Sequence, residues 1–435
     1  MSVYPKNLSN FLNRMSGYNK NSVKMNVLGS SDAKNGDIVQ VDLPTNSIVD
    51  LSSLAWSFDA EWNAVALENA KTVALPINCE SVIERLAIEV NGQTLMNMTN
   101  YNVLYHALLY MTGTDDYCRQ RRVAQTNHSS GAAAGTAEVL TSDIDNTGAA
   151  GNILTRRHII DTWLGFLGSA RPTFIDTSLL GNVRITITLA PGTIIQNIDS
   201  TAASIAPEYT LKNQFFSVDV VSISDGIYDA MVDQMLASGA PIEIPFKNYF
   251  SFTGLAASQA LSLNVASQSI DRLWGVMQTR TTVNSGATGQ AVVEIANPAG
   301  EINKNVMNNF RFATGGARDF HFQVNNTLYP QWTSTNVQDW FQHTKLALGD
   351  QGNMLAGSYV SCPDNYQNDF FVYACQLEHR TDGDERFVSG IDTRGAAAQC
   401  YWKWTNGQGT HGVTVFAECT SLLRIFSNKV LEVVQ

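Results

Sequence analysis

The stretch LAIEVNGQTLMNMTNYNVLYHALLYM, residues 86–111, starts with the pattern of a strand and ends with that of a helix. Apolar residues first occupy alternate positions, at Leu86, Ile88 and Val90, which places them on one face of a sheet. Asn91-Gly92 is a turn dipeptide, because both residues tolerate positive φ. Apolar residues then recur at helical spacing, at Tyr101, Leu104, Tyr105, Leu108 and Leu109. The stretch predicts a strand, a tight turn and an amphipathic helix.

The same pattern returns in residues 320–348, FHFQVNNTLYPQWTSTNVQDWFQHTKLAL. Val90 and Val324 are 234 positions apart (324 − 90), and Val103 and Val337 have the same separation (337 − 103). A strand–turn–helix unit that recurs half a chain later indicates an internal duplication. Chance similarity is the alternative for so short a pattern.

Turn and capping residues also recur in the two copies. Asn325-Asn326 occupies the position of the Asn91-Gly92 turn. Thr99 or Asn100 is placed to cap the first helix, and Thr335 the second, because short polar side chains accept hydrogen bonds from free N–H groups at a helix start.

Length and composition favour two β-rich domains. A chain of 435 residues exceeds one ordinary core and suits two domains of about 200 residues. Charged residues make up 15% of the chain and the net charge is −11. The acidic balance argues against a general nucleic-acid binder and is compatible with a surface that meets other proteins.

Cysteine spacing and hydropathy give no sign of zinc binding, secretion or membrane insertion. The six cysteines have no CxxC pair, so buried free thiols in a reducing compartment are expected. The chain starts with no basic-then-apolar signal and has no run of 18 apolar residues. We therefore expect synthesis in a cytosol or nucleus. The cysteines are Cys79, Cys118, Cys362, Cys375, Cys400 and Cys419.

Residues 1–36 read as a basic N-terminal arm. Their five cations against the single acid Asp32 give a net charge of +4 in an acidic protein. An arm of this kind is expected to touch something anionic, either the inner face of a membrane or a genome. A solvated, partly ordered tail is the alternative. The cations are Lys6, Arg14, Lys20, Lys24 and Lys34.

Strand patterns fill the rest of the chain and predict an all-β fold with a few short helices. About eight strands lie within residues 37–223, and a second series lies within residues 241–435. Residues 224–240 read as a linker helix broken by Pro241. This arrangement is typical of two tandem antiparallel sandwiches.

Two stretches poor in large apolar residues, 113–157 and 279–318, should form long exposed loops. A weaker echo of the duplication is the tripeptide Ile175-Asp176-Thr177, which recurs as Ile391-Asp392-Thr393. Three residues are little evidence by themselves.

No motif for catalysis, cofactor binding or metal binding stands out. The chain has no GxxxxGK[ST], HExxH or GxSxG sequence. Asp143 and Asp145 faintly resemble a calcium loop, but the twelfth position would be Leu154 instead of Glu. Asp382, Asp384 and Glu385 form a loose acidic cluster that a solvated turn explains, with a weak cation site or a subunit salt bridge as the alternatives. We therefore expect no catalytic residues, no cofactor and no metal.

Aromatic and histidine side chains offer only weak alternatives. Trp402 and Trp404 lie on one face of a strand, where core packing competes with a sugar-binding role. His106 and His343 lie on the two helices and read as polar-face histidines.

Three segments resemble the double jelly-roll major capsid proteins of tailless icosahedral DNA viruses, within them those of polinton-like viruses and virophages. They are PTNSIVDLSSLAWSF (44–58), INCESVIERLAIEVNGQTL (77–95) followed by YNVLYHALLYM (101–111), and LLRIFSNKVLEVVQ (422–435). The resemblance extends over nearly the whole chain, although each motif is diffuse.

The resemblance implies that each half is an eight-stranded jelly roll and that three chains form a pseudo-hexagonal trimer. Trimers would tile an icosahedral virion shell and contact penton and minor capsid proteins. The arm would face an internal membrane or the genome. Two rival functions remain: a two-sandwich carbohydrate-binding or carbohydrate-active protein, and a minor or spike protein of the same virion.

Overall fold

Most of the residues that the computed structural model describes lie in antiparallel β-strands. The described residues are 18–63, 73–74, 76, 78–113, 153–194, 196–197, 209–223, 232–234, 236–237, 239, 241–279, 282–283, 292–293, 310, 312–348, 360, 362–378, 390–395, 399–407, 411–426 and 430–435.

The first half of the chain contains twelve strands and three α-helices among the described residues. The strands are β1 (Tyr18–Asn26), β2 (Ala33–Lys34), β3 (Ile38–Asp42), β4 (Ile48–Asn63), β5 (Val73–Ala74), β6 (Ile83–Val90), β7 (Gln93–Thr99), β8 (Ile153–Ile160), β9 (Phe174–Asp176), β10 (Val183–Leu189), β11 (Gln196–Asn197) and β12 (Tyr209–Ile223). The helices are α1 (Tyr101–Thr112), α2 (Phe166–Ser169) and α3 (Thr177–Leu180), with 3-10 turns at Cys79–Val82 and Gly192–Ile194.

Two sheets build the first sandwich. One has the order β1-β12-β4-β8, with β2 and β9 as short additions, and the other has the order β3-β10-β6-β7. In β10 every second residue from Val183 to Leu189 is buried, as the alternating sequence predicts. The strand thus places its apolar face against the opposite sheet.

The second half repeats this plan. Its strands are β13 (Ile242–Leu255), β14 (Ala260–Leu263), β15 (Ile270–Thr279), β16 (Thr282–Val283), β17 (Val292–Val293), β18 (Arg318–Val324), β19 (Thr327–Ser334), β20 (Val372–Gln376), β21 (Cys400–Thr405), β22 (His411–Ile425) and β23 (Leu431–Val434). Its helices are α4 (Val337–Ala347) and α5 (Pro363–Asn368), with a 3-10 turn at Ala256–Ser258.

The sheets of the second half have the orders β13-β22-β15-β20 and β14-β21-β18-β19. In chain order, these strands occupy the same eight positions as β1, β12, β4, β8 and β3, β10, β6, β7. Each half is therefore an eight-stranded antiparallel jelly roll, and the fold class predicted from the sequence is confirmed.

The duplicated stretch has one more strand in each copy than the sequence predicted. A hairpin, β6–β7 or β18–β19, precedes each helix, and its second strand was missed. Asn91 and Asn325 both have positive φ, so the predicted turns are confirmed. The predicted capping side chains are wrong. Asn100 has left-handed backbone and Asn336, instead of Thr335, precedes α4, and neither side chain caps its helix.

One apolar core runs through both sandwiches. Trp402 is fully buried in the second sandwich, where it packs on Phe320, Phe322 and Tyr373 with ring centroids 5.7, 5.8 and 6.5 Å away. A Cβ at Gly275 would lie 2.7 Å from the Trp402 ring, so glycine is required for the close approach of the facing sheets. Trp404 is also buried and donates its indole N–H to the Ala256 carbonyl at 2.7 Å.

Several predicted boundaries need correction. The arm is wrong from Tyr18 onward, because β1 pairs with β12 along nine residues and Met25 and Val27 are buried. The loop predicted at 113–157 is too long at its end, since β8 begins at Ile153. The closing segment, residues 422–435, contains the end of β22 and the whole of β23, which pair with each other. Residues 232–234 and 236–237 of the predicted linker helix are helical, and the rest of it, except Gly239, lies outside the described residues.

Candidate assembly surfaces

The two sandwiches contact each other through a junction formed by β7, α1 and α2 of the first half and β13 of the second. Phe166 packs edge-to-face on Phe246 with ring centroids 5.3 Å apart. The Lys247 N–H donates to Ser169 Oγ at 2.8 Å, and the Arg171 N–H donates to the Pro245 carbonyl at 3.1 Å. Apolar packing and backbone hydrogen bonds thus hold the two halves together.

Helix α1 is nearly enclosed at this junction. Ten of its twelve residues are buried. His106 is fully buried and stacks on Phe310 with ring centroids 4.0 Å apart, and its Nδ1 lies 2.6 Å from the Asn102 carbonyl. The prediction of a polar-face histidine is therefore wrong for His106, because the second half covers that side of the helix. Tyr110 packs on Phe370 at 4.8 Å in the same interface.

The sheet β13-β22-β15-β20 turns its outer face, the one away from its own sandwich, toward the first half. Gly275 points into the sandwich, so its neighbour Trp274 points outward. Even so, Trp274, Val276 and Phe416 are almost completely buried. We call this surface the second outer face; it is formed by Lys247, Tyr249, Arg272, Trp274, Val276, Phe416 and Glu418.

A buried ionic network lies on the second outer face. Lys247 Nζ is 2.8 Å from Asp271 Oδ2 and 3.7 Å from Glu378 Oε2. Arg272 is 2.9 Å from Glu378 and 3.8 Å from Glu418. Burial lowers the pKa of Lys247, but the charges of Asp271 and Glu418 outweigh it and the pKa is raised overall. Burial raises the pKa of Glu378 above its usual value, against the opposing effect of Lys247 and Arg272.

The equivalent face of the first sandwich contains a matching ion pair. Lys20 Nζ lies 3.0 Å from both Asp50 Oδ2 and Asp219 Oδ2. Lys20 and Lys247 lie on the edge strands β1 and β13, and Asp50 and Asp271 lie on β4 and β15, which occupy the same sheet position. Hydrogen bonds to Asp219 and Asp50 raise the pKa of Lys20.

This first outer face is open, in contrast to the second. Ile159 and Phe174 are 38% and 44% exposed there, although both are large apolar side chains. Lys24 Nζ lies 4.3 Å above the Phe215 ring and Arg157 Cζ lies 5.0 Å from it. We define the first outer face by Lys20, Lys24, Arg157, Ile159, Phe174, Phe215 and Asp219.

The cations predicted to form an inward-facing arm have different places. Lys20 and Lys24 lie on the first outer face, in strand β1. Lys34 is exposed in β2, and its N–H donates to the Asp37 carboxylate at 2.7 Å. Lys6 and Arg14 lie outside the described residues. The direction in which these cations face within a shell stays a prediction.

The other candidate sites offer little chemistry. Trp402 and Trp404 are core residues, so they do not form the sugar-binding face considered above. Among the described residues, no three His, Cys, Asp or Glu side chains converge as metal ligands, and no helix is long and apolar enough to cross a bilayer. Asp143, Asp145 and the acidic cluster at 382–385 lie outside the described residues. The five described cysteines are free; three are buried, Cys375 is half-buried and Cys362 is exposed.

Comparison with solved structures identifies the architecture. PBCV-1 VP54, fitted into a reconstruction of the virophage Sputnik, aligns with a TM-score of 0.61 over 100% of this chain and 99% of its own, at 14% identity. The PBCV-1 capsid model gives a TM-score of 0.56 at 15% identity, covering 99% and 98%. The Faustovirus major capsid protein gives 0.56 at 10% identity, covering 97% and 92%. No family model and no curated protein sequence matches the chain.

The chain thus has the double jelly-roll fold seen in the major capsid proteins of giant viruses and virophages. In each of these three comparisons, the similarity extends over nearly the full length of both chains. At these identities the similarity is one of fold, and the assembly of this chain is a matter for proposal.

Proposed function

We propose that this protein is a structural major capsid protein that forms homotrimers of pseudo-hexagonal outline, which tile an icosahedral virion shell. The observation that supports this most strongly is the full-length match to solved capsid proteins, combined with two equivalent sandwiches joined side by side. Three such chains place six similar sandwiches around one axis, so a three-fold oligomer approximates six-fold symmetry.

The described surfaces suit assembly better than catalysis. A shell needs apolar area to bury and few charges to desolvate, and only 15% of this chain is charged. The first outer face exposes Ile159 and Phe174 beside cations, which is a composition suited to a protein interface. Many weak contacts repeated by symmetry then give a stable shell. The solved structures with this fold are structural capsid proteins, which favours a non-enzymatic role.

The finer assignments follow from this function. The virion is the proposed location, with penton and minor capsid proteins as neighbours. Because Lys20 and Lys24 belong to the sandwich, the inward role falls to the segment before Tyr18, where Lys6 and Arg14 would contact a membrane or a genome.

The test is expression of the full chain followed by electron microscopy of the particles. The proposal predicts closed shells whose capsomers have a hexagonal outline and contain three copies of the chain. A minor or spike protein would instead form isolated oligomers that never close a shell without a second protein. Absence of any regular assembly across pH, salt and protein concentration would contradict the capsid assignment.

A further inference from the structure

The buried ionic network at the junction has more acids than cations. Among the described residues it contains two cations, Lys247 and Arg272, and three carboxylates, those of Asp271, Glu378 and Glu418. The five side chains are between 1% and 25% exposed. An uncompensated charge in such a place is unfavourable, and uptake of a proton removes it. We propose that the junction between the two sandwiches is pH-sensitive: it closes tightly when the network takes up one proton and loosens when that proton leaves.

The hydrogen bonds within the network indicate where the proton binds. Asp271 accepts three hydrogen bonds of 2.6–2.8 Å, so both of its oxygens are held. Glu378 Oε2 is less well held, because the Lys247 ammonium is 3.7 Å away. Glu418 Oε1 is 3.8 Å from Arg272. Burial raises the pKa of Glu378 against the effect of both cations, so we place the proton on Glu378.

The first half brings no cation to this network among its described residues. β7 and α2 contain no ionisable side chain. From α1, Tyr101 lies near Tyr249, and burial raises the pKa of Tyr249 far above its usual value, so that phenol is neutral. His106 on α1 is turned toward Phe310. The Arg171 side chain is exposed and donates to the Ala170 carbonyl at 3.3 Å.

The network is connected directly to the contact between the two halves. Lys247 binds Asp271 through its ammonium group and Ser169 of the first half through its N–H. A change of charge in the network therefore acts on the strand that carries the contact, β13. Because the pKa of Glu378 is raised, the closed junction binds the proton more tightly than an open one. The closed form is favoured at low pH, and this preference is lost as pH rises through the raised pKa.

The matching ion pair of the first sandwich differs in its exposure to water. Lys20 also has two carboxylate partners, Asp50 and Asp219, so this group too has one acid in excess. Its side chain is 39% exposed and that of Asp219 is 25% exposed. Water lowers the free-energy cost of the extra charge at such a surface. The proposed pH effect therefore belongs to the buried network at the junction.

Hydrogen exchange measures the closing of the junction directly. The Arg171 N–H donates to the Pro245 carbonyl and the Lys247 N–H to Ser169 Oγ, so both amides are protected by the closed junction. Peptides covering residues 165–171 and 243–249 of the full-length protein are followed from pH 4.5 to pH 7, after correction for the intrinsic effect of pH. Protection should fall about ten-fold for each unit by which the pKa differs between the closed and the open junction. Amides of β10, in the core of the first sandwich, should keep their protection.

The variant Glu378→Gln removes the excess charge permanently. Its junction amides should stay protected, with no dependence on pH over this range. Glu432→Gln is the matched control and should behave like the wild type, because Glu432 is 51% exposed and lies 3.7 Å from Arg424 on another surface. A wild type whose junction protection does not change with pH would overturn the proposal. Full pH dependence in Glu378→Gln would overturn it as well.

A disulfide across the junction tests the same idea with the network intact, should Glu378→Gln fail to fold. The hydroxyls of Thr99 and Ser251 are hydrogen-bonded across the junction, so Thr99→Cys/Ser251→Cys can lock it. A Cys362→Ser background removes the exposed thiol among the described cysteines. Protection should be independent of pH in the oxidised protein and should fall with rising pH in the reduced one. Equal pH dependence in both forms would contradict the proposal.

This inference concerns the two halves of one chain. It does not depend on the number of copies in an oligomer or on shell formation. Its failure would leave the capsid proposal standing, and a failure of shell assembly would leave the hydrogen-exchange result unchanged.

Discussion

Thr177 and Thr393 make the same hydrogen bonds in the two halves of the chain. Thr177 Oγ1 accepts from the Ser47 N–H at 3.0 Å and is directed at the Pro44 and Ser47 carbonyls at 2.7 and 2.9 Å. Thr393 Oγ1 accepts from the Ser267 N–H at 3.1 Å and is directed at the Val265 and Ser267 carbonyls at 2.8 and 3.4 Å. The repeated tripeptide Ile-Asp-Thr therefore reflects a hydrogen-bond arrangement that both halves share.

Replacing either threonine with valine should lower the free energy of unfolding by about 1–3 kcal/mol, because buried backbone groups lose their partner. Both side chains are almost completely buried, so water cannot substitute. Chemical denaturation of Thr177→Val and Thr393→Val measures the loss. The Thr→Ser variants keep the hydroxyl and should lose less than the valine variants; a serine loss as large as the valine loss would contradict the hydrogen-bond account.

The buried acid Glu378 should make stability depend on pH in a defined direction. Its pKa is raised above 4.5 by burial, so the folded state binds the proton more tightly than the unfolded state. Its contribution to stability is full below pH 4.5 and is lost as pH rises through the raised pKa. Relative to Glu378→Gln, the wild type should gain stability as pH falls from 7 toward 4.5.

Urea denaturation of both proteins at several pH values checks this, because the other titrating groups are common to the pair and cancel in the difference. A difference that stays constant over this range, or changes in the opposite direction, would contradict the effect assigned to burial at the junction. The Asp392→Asn variant is a suitable control, since that carboxylate is exposed and paired only with Arg394.

Trp332 should contribute to association and little to folding. Replacing it with alanine removes an indole that is 51% exposed on β19, so we expect a dissociation constant at least ten-fold weaker and an unchanged monomer fold. Sedimentation over a dilution series measures the association, and circular dichroism checks the fold. Ile38→Ala, at a residue 61% exposed on β3, is the control and should leave association unchanged. Equal effects of the two variants on association would argue against a specific role for Trp332 in the contact between copies.

The segment before Tyr18 should matter for shell assembly and not for folding. Deleting residues 1–17 removes Lys6 and Arg14 and leaves β1 intact, so trimers should persist while shell formation falls. Deleting residues 1–36 also removes β1, which pairs with β12 over nine residues, so that variant should lose folding stability. Normal shells from the shorter deletion would contradict a role for the arm, as judged by electron microscopy.

Much of the fold could be predicted because alternation and helical spacing are local signals. β6 and α1 match the strand and helix predicted from residues 86–111, and the 234-residue offset identified the duplication. β1 was missed because polar residues dominate both of its faces and, among residues 19–26, only Met25 is buried. Sequence periodicity identifies a strand most reliably when one face of the strand is strongly apolar.

The assembly surfaces were less predictable because they depend on how the halves pack. His106 looked like a surface histidine, yet Phe310, more than 200 positions later, stacks on it. Lys20 looked like part of a free arm, yet it pairs with Asp50 and Asp219 across neighbouring strands. The one available signal was the duplication itself. When the halves are aligned at Lys20 and Lys247, the residues of the first outer face correspond to those of the second outer face.

The most direct test of the trimeric capsid assignment is the native mass of the purified protein by light scattering. One chain has a mass of 47.6 kDa, so a trimer has a mass of about 143 kDa (3 × 47.6 kDa). The account predicts this trimer, or larger particles that dissociate into it. A protein that stays at 47.6 kDa over the whole concentration range would contradict it.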